Sequence, residues 1–264
     1  MNSPGVSARS STHHQITSDP EAGMTLIVLI GLLAMISIGL AVVSPSMVRV
    51  WDQNSEDRET RDLQMIATGV IAYLRQHHTF PPSLLALSPD YVPLPLAQLT
   101  RNARGFPRYY SVHPSIAGFQ NSTGLTGAEI INARFLLLSN LSQDAAPSIT
   151  TPVSFETWWN TNDSITPALT IHRGTISHLF YSVSLIPKGN GGSFSIDHQP
   201  THSNGDLLPT HSRFHLIGTE IGMDEDDSYN PPPDVQFALT TNTSYWFHPL
   251  CVFTKRWNPL SPPC

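Results

Sequence analysis

Twelve histidines in 264 residues invite a metal reading, because imidazole is the commonest metal-binding side chain. Their spacing does not support it. No His-Glu-x-x-His occurs, and no Cys/His pattern has the spacing of a structural zinc site. His77 and His78 are adjacent, so on a helix they point apart. His248 and Cys251 are three apart with Cys264 beyond, but a disulfide accounts for these two cysteines more simply. If this part of the chain is exported, pairing of Cys251 with Cys264 would close a short loop, worth about 3 kcal/mol in the chain-entropy account. The alternative is two unpaired thiols. The densest acidic run is Met223-Asp224-Glu225-Asp226-Asp227-Ser228-Tyr229-Asn230. Oxygen-rich loops suit calcium, and Asp224, Asp226 and Asp227 are its candidate ligands. The EF-hand pattern with its central glycine is absent, and consecutive acids ordinarily form a solvated loop.

Nucleophilic and nucleotide chemistry have no local support. The chain contains no Gly-x-Ser-x-Gly, phosphate-binding loop or dinucleotide fingerprint. Trp158, Trp159 and Trp246 could line a ligand groove, although aromatics more often pack in a core or at a strand edge. The net charge is −6 and no basic cluster occurs. Nucleic acid is therefore excluded as an expected partner, since it needs lysine and arginine against its phosphates. The expectation is a protein that is not an enzyme.

The element that organises the chain lies near its start. From Met24 to Val43 there are 20 residues without a charge, about 30 Å of helix and enough for a bilayer's hydrocarbon core. A helix apolar all round must lie in lipid or in a bundle. Gly31 and Gly39, with Ala34, Ser37 and Ala41 between and beside them, would allow close helix approach. A secretory signal peptide has a shorter apolar core. An uncleaved single-pass anchor is the other ordinary reading. Pro45 should kink the helix. Beyond it, Leu63, Ile66, Val70, Tyr73 and Leu74 share one face, an amphipathic helix that needs a partner. Residues 52–62 are charged all round and read as a solvated bridge, with Glu56 or Asp57 pairing Arg61. The helix should stop near His77-His78, because Thr79-Phe80-Pro81-Pro82 cannot continue it.

The junction Glu21-Ala22-Gly23 followed by Met24-Thr25-Leu26-Ile27 and a purely apolar helix resembles the cleavage site of type IV prepilins and type II secretion pseudopilins. In that family a membrane peptidase cuts after the glycine and methylates the new N-terminus. The resemblance thus implies a cut between Gly23 and Met24. Pro45 matches the position at which family members often kink. Tyr73, Phe80-Pro81, Leu84, Leu87 and Tyr91-Val92 resemble the turn and Leu-rich element that follow the long helix there. The family's acidic residue, five positions after the cut, is Val28 here, a departure that points to a minor subunit rather than the main shaft. A C-terminal disulfide loop and a calcium-holding head loop also occur in the family.

Downstream, the chain reads as strands divided by Gly, Asn and Pro turns. Strands are expected at 106–112, 134–139, 176–186, 193–196, 214–217, 235–240 and 245–253, with a short helix at 127–132 and a turn at 188–192. The expected fold class is α+β, pilin-like. One long N-terminal helix has an apolar half in the membrane and an amphipathic half packed on an antiparallel β-sheet head, with an enlarged C-terminal region. The expected divisions are a leader at 1–23, a transmembrane and assembly stem at 24–44, its amphipathic continuation at 45–78 and a β-rich head at 79–264. Residues 145–230 are a candidate subdomain.

The resemblance implies a structural subunit of a type II secretion or type IV pilus-like filament. It would be a single-pass protein of the bacterial inner membrane, with its head in the periplasm or outside the cell. Its partners would be other pilin or pseudopilin subunits, the prepilin peptidase, an inner-membrane assembly platform and membrane lipid. The alternative is a membrane-anchored periplasmic binding protein or hydrolase on an uncleaved anchor.

Overall fold

A computed structural model describes residues 20–143, 147, 149–162, 168–187, 193–202, 210–224, 233 and 235–247. The chain divides into two compact units, Met1–Gln53 and Asn54–Cys264. The first contains most of the long helix α1 (Pro20–His77), whose assignment is continuous through Pro45. α1 starts ahead of the Gly23-Met24 junction. Among the described residues, no helix is long and apolar enough to cross a membrane.

The second unit is α+β. The apolar spacing on α1 becomes a core stripe, with Leu63, Ile66, Val70 and Leu74 fully buried and Tyr73 half-buried. Two of the three leucines beyond the helix end, Leu84 and Leu87, pack into the same core, whereas Leu85 stays exposed. A Cβ at Gly69 would lie 2.3 Å from Val92 Cγ2. Only glycine therefore lets α1 come this close to the returning chain. The short helix α2 (Leu96–Thr100) follows and contributes Leu99 to the core.

A three-stranded sheet packs against the stripe. It runs β1 (Arg108–Val112), β2 (Arg134–Asn140) and β3 (Leu169–Thr175), antiparallel throughout. In β2, Phe135 and Leu137 face the core with α1, while Leu136 and Leu138 face a second cluster. This is why Arg134–Asn140 reads as a continuous apolar run rather than an alternating one: both faces are covered. The second face is covered by α4 (Pro152–Trp159) through Phe155. That helix is capped by Thr151, whose hydroxyl accepts from the Ser154 N–H, with proline in the first turn where no donor is needed. The short helix α3 (Gly127–Ile130) has a full capping box between Thr126 and Glu129. Its hydrogen bonds from Thr126 hold the Glu129 carboxyl below its ordinary range.

Two further sheets follow. One has the order β10 (Thr243–Phe247), β4 (Phe180–Pro187) and β7 (His211–Leu216). The other has the order β6 (Gln199–His202), β5 (Ser193–Ile196), β8 (Glu220–Asp224) and β9 (Val235–Ala238). Val183 and Leu185 from the first join Phe194, Ile196, Ile221 and Met223 from the second in one cluster. The head is not wholly antiparallel: β10 pairs with β4 in parallel. The expected segment 176–186 opens on a 3-10 turn, Ser177–Leu179, before β4 begins. Strands β3, β6 and β8 and helices α2 and α4 carry no sequence pattern strong enough to announce them. β6, β8 and α2 are short, β3 carries His172, Arg173 and Gly174 in its run, and β6 and β8 contain proline, glycine or acids that strands usually avoid.

Candidate functional site

On α1 the described side chains of residues 28–38 are all exposed. Val28 is 65% exposed, Met35 77% and Ile38 66%, and Leu29, Ile30, Leu32, Leu33 and Ile36 lie between them. These positions cover about three turns, so every side of the helix presents apolar surface. Its one hydroxyl is internally satisfied: Ser37 Oγ donates to the Leu33 carbonyl at 2.7 Å. Nothing polar in 28–38 asks for water, and about eleven residues of apolar helix ask for a partner that is not water. Gly23 and Met24 lie in the backbone of α1, as does Pro45.

Where α1 enters the second unit, the charged stretch is not the fully solvated bridge its composition suggests. Glu59 is 0% exposed. Its carboxylate accepts from Arg108 Nε at 2.6 Å and from Nη2 at 2.7 Å, a bidentate fork, and Nη2 also donates to Asp62 at 2.8 Å. Nη1 donates to the Gln98 carbonyl. Burial alone would lower the guanidinium. The hydrogen bonds and charge of Glu59, then of Asp62, outweigh it and hold Arg108 above its ordinary value. The local signal was faint. Glu59 and Asp62 each lie four residues before a core residue, Leu63 and Ile66, on the edge of the buried stripe, but their partner sits 46 residues or more away in β1. Arg61, expected to pair with Asp57 or Glu56, donates instead to the Asp57 main-chain carbonyl at 3.2 Å.

At the other end of the packed stripe lies a second polar cluster. α1 stops on His78, whose φ of +55° is left-handed. Its N–H closes on the Leu74 carbonyl at 2.9 Å, a helix stop normally left to glycine. The β5–β6 hairpin turns on Asp197 and His198, with φ of +52° and +63°. A two-residue turn with both φ positive is the form that fits the sheet's twist, and it usually takes Asn-Gly. The two left-handed sites meet: His78 Nδ1 donates to Asp197 Oδ2 at 2.6 Å. Asn121 joins them to β7 and to the turn before β8. Its amide donates to Asp197 Oδ2 at 3.3 Å and to Thr219 Oγ1 at 2.8 Å, and its Oδ1 accepts from the Leu216 N–H at 3.0 Å.

Tautomers in this cluster follow from who can donate. The Asn121 carbonyl only accepts, so His215 Nδ1, 2.6 Å away, carries a proton. His215 Nε2 and His211 Nε2 are 2.8 Å apart, and burial favours neutral rings. His215 Nε2 therefore accepts and His211 Nε2 donates. Burial pushes the His215 imidazole down to about 4, against the Asn121 carbonyl and Asp197, which pull the other way. Burial, then His215 and Arg213, bring His211 to about 4 as well. Gly124, at φ +67°, leaves room for this ring: a Cβ there would lie 2.7 Å from His215 Cε1.

One arrangement has the residue types of nucleophilic catalysis. Ser115 Oγ is 2.7 Å from His113 Nδ1, and His113 Nε2 is 3.7 Å from Glu156. The Ser115 N–H also donates to the same Nδ1 at 3.2 Å, so His113 caps the 3-10 turn Pro114–Ile116. Arg134 takes the Glu156 carboxylate. Burial, then Arg134, lowers His113 below its usual range. The geometry is that of a cap with an ion pair behind it. Among the described residues, no serine, threonine or cysteine is hydrogen-bonded to His78 of the His78–Asp197 pair.

Of the candidate calcium ligands, Asp224 is buried at the end of β8, with its backbone paired to Ser193, and Asp226 and Asp227 lie outside the described residues. Cys251 and Cys264 also lie outside them, as does the expected turn at 188–192. Among the described residues, no group of three or more His, Cys, Asp or Glu side chains could hold a metal ion. Compared with protein-family models, with curated proteins and with solved structures, the chain matches none.

Proposed function

We propose that the chain is a pilin-like structural subunit, a minor pseudopilin of a type II secretion or type IV pilus-like filament. The observation that carries this reading is the apolar surface on every side of residues 28–38, on a helix whose last turns form the core stripe of an α+β unit. A helix of this kind is stable only in lipid or among like helices. The uncharged run Met24–Val43 and the Gly23-Met24 junction support the same reading from the sequence. In this proposal the chain waits in the inner membrane with its head outside. The prepilin peptidase cuts after Gly23, and the stem then leaves lipid for the apolar centre of a filament through the assembly platform.

Val28 sharpens the proposal. In the family a carboxylate at this place is thought to pair with a neighbouring subunit's terminal amine. Val28 offers none, and burying an unpaired amine is costly. The subunit therefore belongs at a tip or initiation position, where it has no such amine to meet.

The test is N-terminal sequencing and intact-mass measurement of the mature chain, made with and without a prepilin peptidase. A methylated Met24 at the N-terminus is expected. An intact Met1, or a cut near residue 44, would sink the filament reading and leave a tethered binding protein or hydrolase. Val28→Glu tests the position: incorporation into filaments should not rise, and a marked gain would place this subunit in the shaft.

A further inference from the structure

The tryptophan pair on α4 has two different fates. Trp159 is used in packing: its ring stacks on Phe155 at 5.9 Å and 18°, and the Arg134 guanidinium covers it at 4.7 Å. Trp158, which also packs on the Phe155 cluster, in addition borders a cleft of about 440 Å³, within the usual range of small-ligand sites. Tyr109 of β1, Leu169 of β3 and Asn140 of β2 border it as well. Leu169 and Asn140 are cross-strand partners.

The chemistry of the lining is selective. Among the described residues, no charged side chain lines the cleft, so an ion meeting these groups would lose water without gaining a counter-charge. Phosphorylated and other ionic ligands are disfavoured on that ground. A purely apolar occupant fits poorly too. Asn140 is 8% exposed. Its Oδ1 is taken by the Ser142 N–H at 2.9 Å, the Ser142 hydroxyl at 2.8 Å and the Gln143 N–H at 3.3 Å. Its Nδ2 has no protein partner among the described residues, and covering it with hydrocarbon would leave a buried donor unpaired. The hydroxyls of Thr157 and Thr161 donate to the Val153 and Thr157 carbonyls at 2.9 and 2.8 Å, which leaves their lone pairs to accept. The described residues of the cleft thus offer an aromatic wall, an amide donor and hydroxyl acceptors, all neutral.

We propose that this cleft binds a neutral sugar ring. Such a ring has an apolar C–H face to lay against an aromatic side chain and a rim of hydroxyls that both donate and accept. It carries no charge to desolvate. Trp158 is the stacking platform, Asn140 Nδ2 donates to a ring hydroxyl, and Thr157 and Thr161 accept. The inference is independent of the filament reading, since it concerns only the outer face of the first sheet.

The experiment is saturation-transfer NMR on the full chain in a detergent without a sugar headgroup. The panel holds neutral hexoses and disaccharides, the matching uronic acids and amino sugars, and a cyclic alcohol as an apolar probe. At least one neutral sugar should bind with a millimolar or tighter Kd. Trp158→Ala should weaken it by about tenfold or more, Trp158→Phe by less, and Gln143→Ala, at an exposed position on the rim, by a few-fold or less. Trp51→Ala, on α1 outside this unit, should leave binding unchanged. Circular dichroism of each variant separates loss of the site from loss of the fold. If Trp158→Ala unfolds, the Trp158→Phe and Gln143→Ala variants decide. The proposal is overturned if no neutral sugar binds, if binding survives Trp158→Ala undiminished, if charged sugars bind equally well, or if only the apolar probe binds.

Discussion

Two polar clusters bound the packed half of α1, and they are built on opposite principles. At one end, Glu59 and Asp62 hold Arg108 with full charges in a buried fork. At the other, Asn121, His211, His215 and Thr219 are neutral groups joined by directional hydrogen bonds, with Asp197 and His78 at the half-exposed rim. An ionic cluster is insensitive to small shifts but intolerant of losing a member, because the survivor is a bare charge in a poor solvent. A neutral cluster tolerates a lost bond better, but it depends on which nitrogen carries the proton. The first type fails by mutation and the second by acid.

The largest expected effect breaks the ionic end. Arg108→Ala leaves Glu59 buried without its guanidinium and should cost about 3–5 kcal/mol, read as a lower urea midpoint at an unchanged slope. The double variant Glu59→Met with Arg108→Met should cost much less, since it removes both charges. If the double variant proves as unstable as Arg108→Ala, the cost is lost packing and the contrast between the two ends disappears.

Next in size is the acid response of the neutral end. His215 and His211 titrate near 4 when folded and near 6.5 when unfolded. Between those values the unfolded chain binds more protons, so the histidines' share of stability falls as pH drops from about 6.5 to about 4 and is level below. For His215 the loss is about 3 kcal/mol. Denaturant titrations at a series of pH values should show this slope, and His215→Gln should flatten it. A slope that persists unchanged in His215→Gln would move the acid sensitivity elsewhere.

The smallest effect tests the rim. Asp197→Asn keeps a residue that tolerates a left-handed backbone and keeps an acceptor for His78. It should shift stability by no more than about 0.5 kcal/mol. A loss several times larger would show that the His78–Asp197 contact works as an ion pair, and the two ends would then be alike after all.

The buried stripe of α1 was legible early because it is local and periodic. Leu63, Ile66, Val70 and Leu74 at helical spacing specify a helix and its buried face without reference to any other segment. The Arg134–Asn140 run was legible as a short continuous apolar run, and Ser193–Ile196 by its alternation. Residues 52–62 misled because composition describes a stretch, whereas burial selects single positions within it. Glu59 is buried only because β1 places Arg108 beside it. Likewise His78, Asp197 and Asn121 are distant in sequence, and no spacing rule joins them.

By itself, the sequence determined the helix with its buried amphipathic face, the α+β class and the place where the helix ends. These follow from hydrophobic period, proline and glycine, and each is decided within a dozen residues. Tertiary structure alone decided which charges became a buried fork, which histidines stayed neutral and which of two adjacent tryptophans faces a cleft. Each of those outcomes is set by a neighbour from another strand, and the free energy of a polar group depends on that neighbour more than on the group itself.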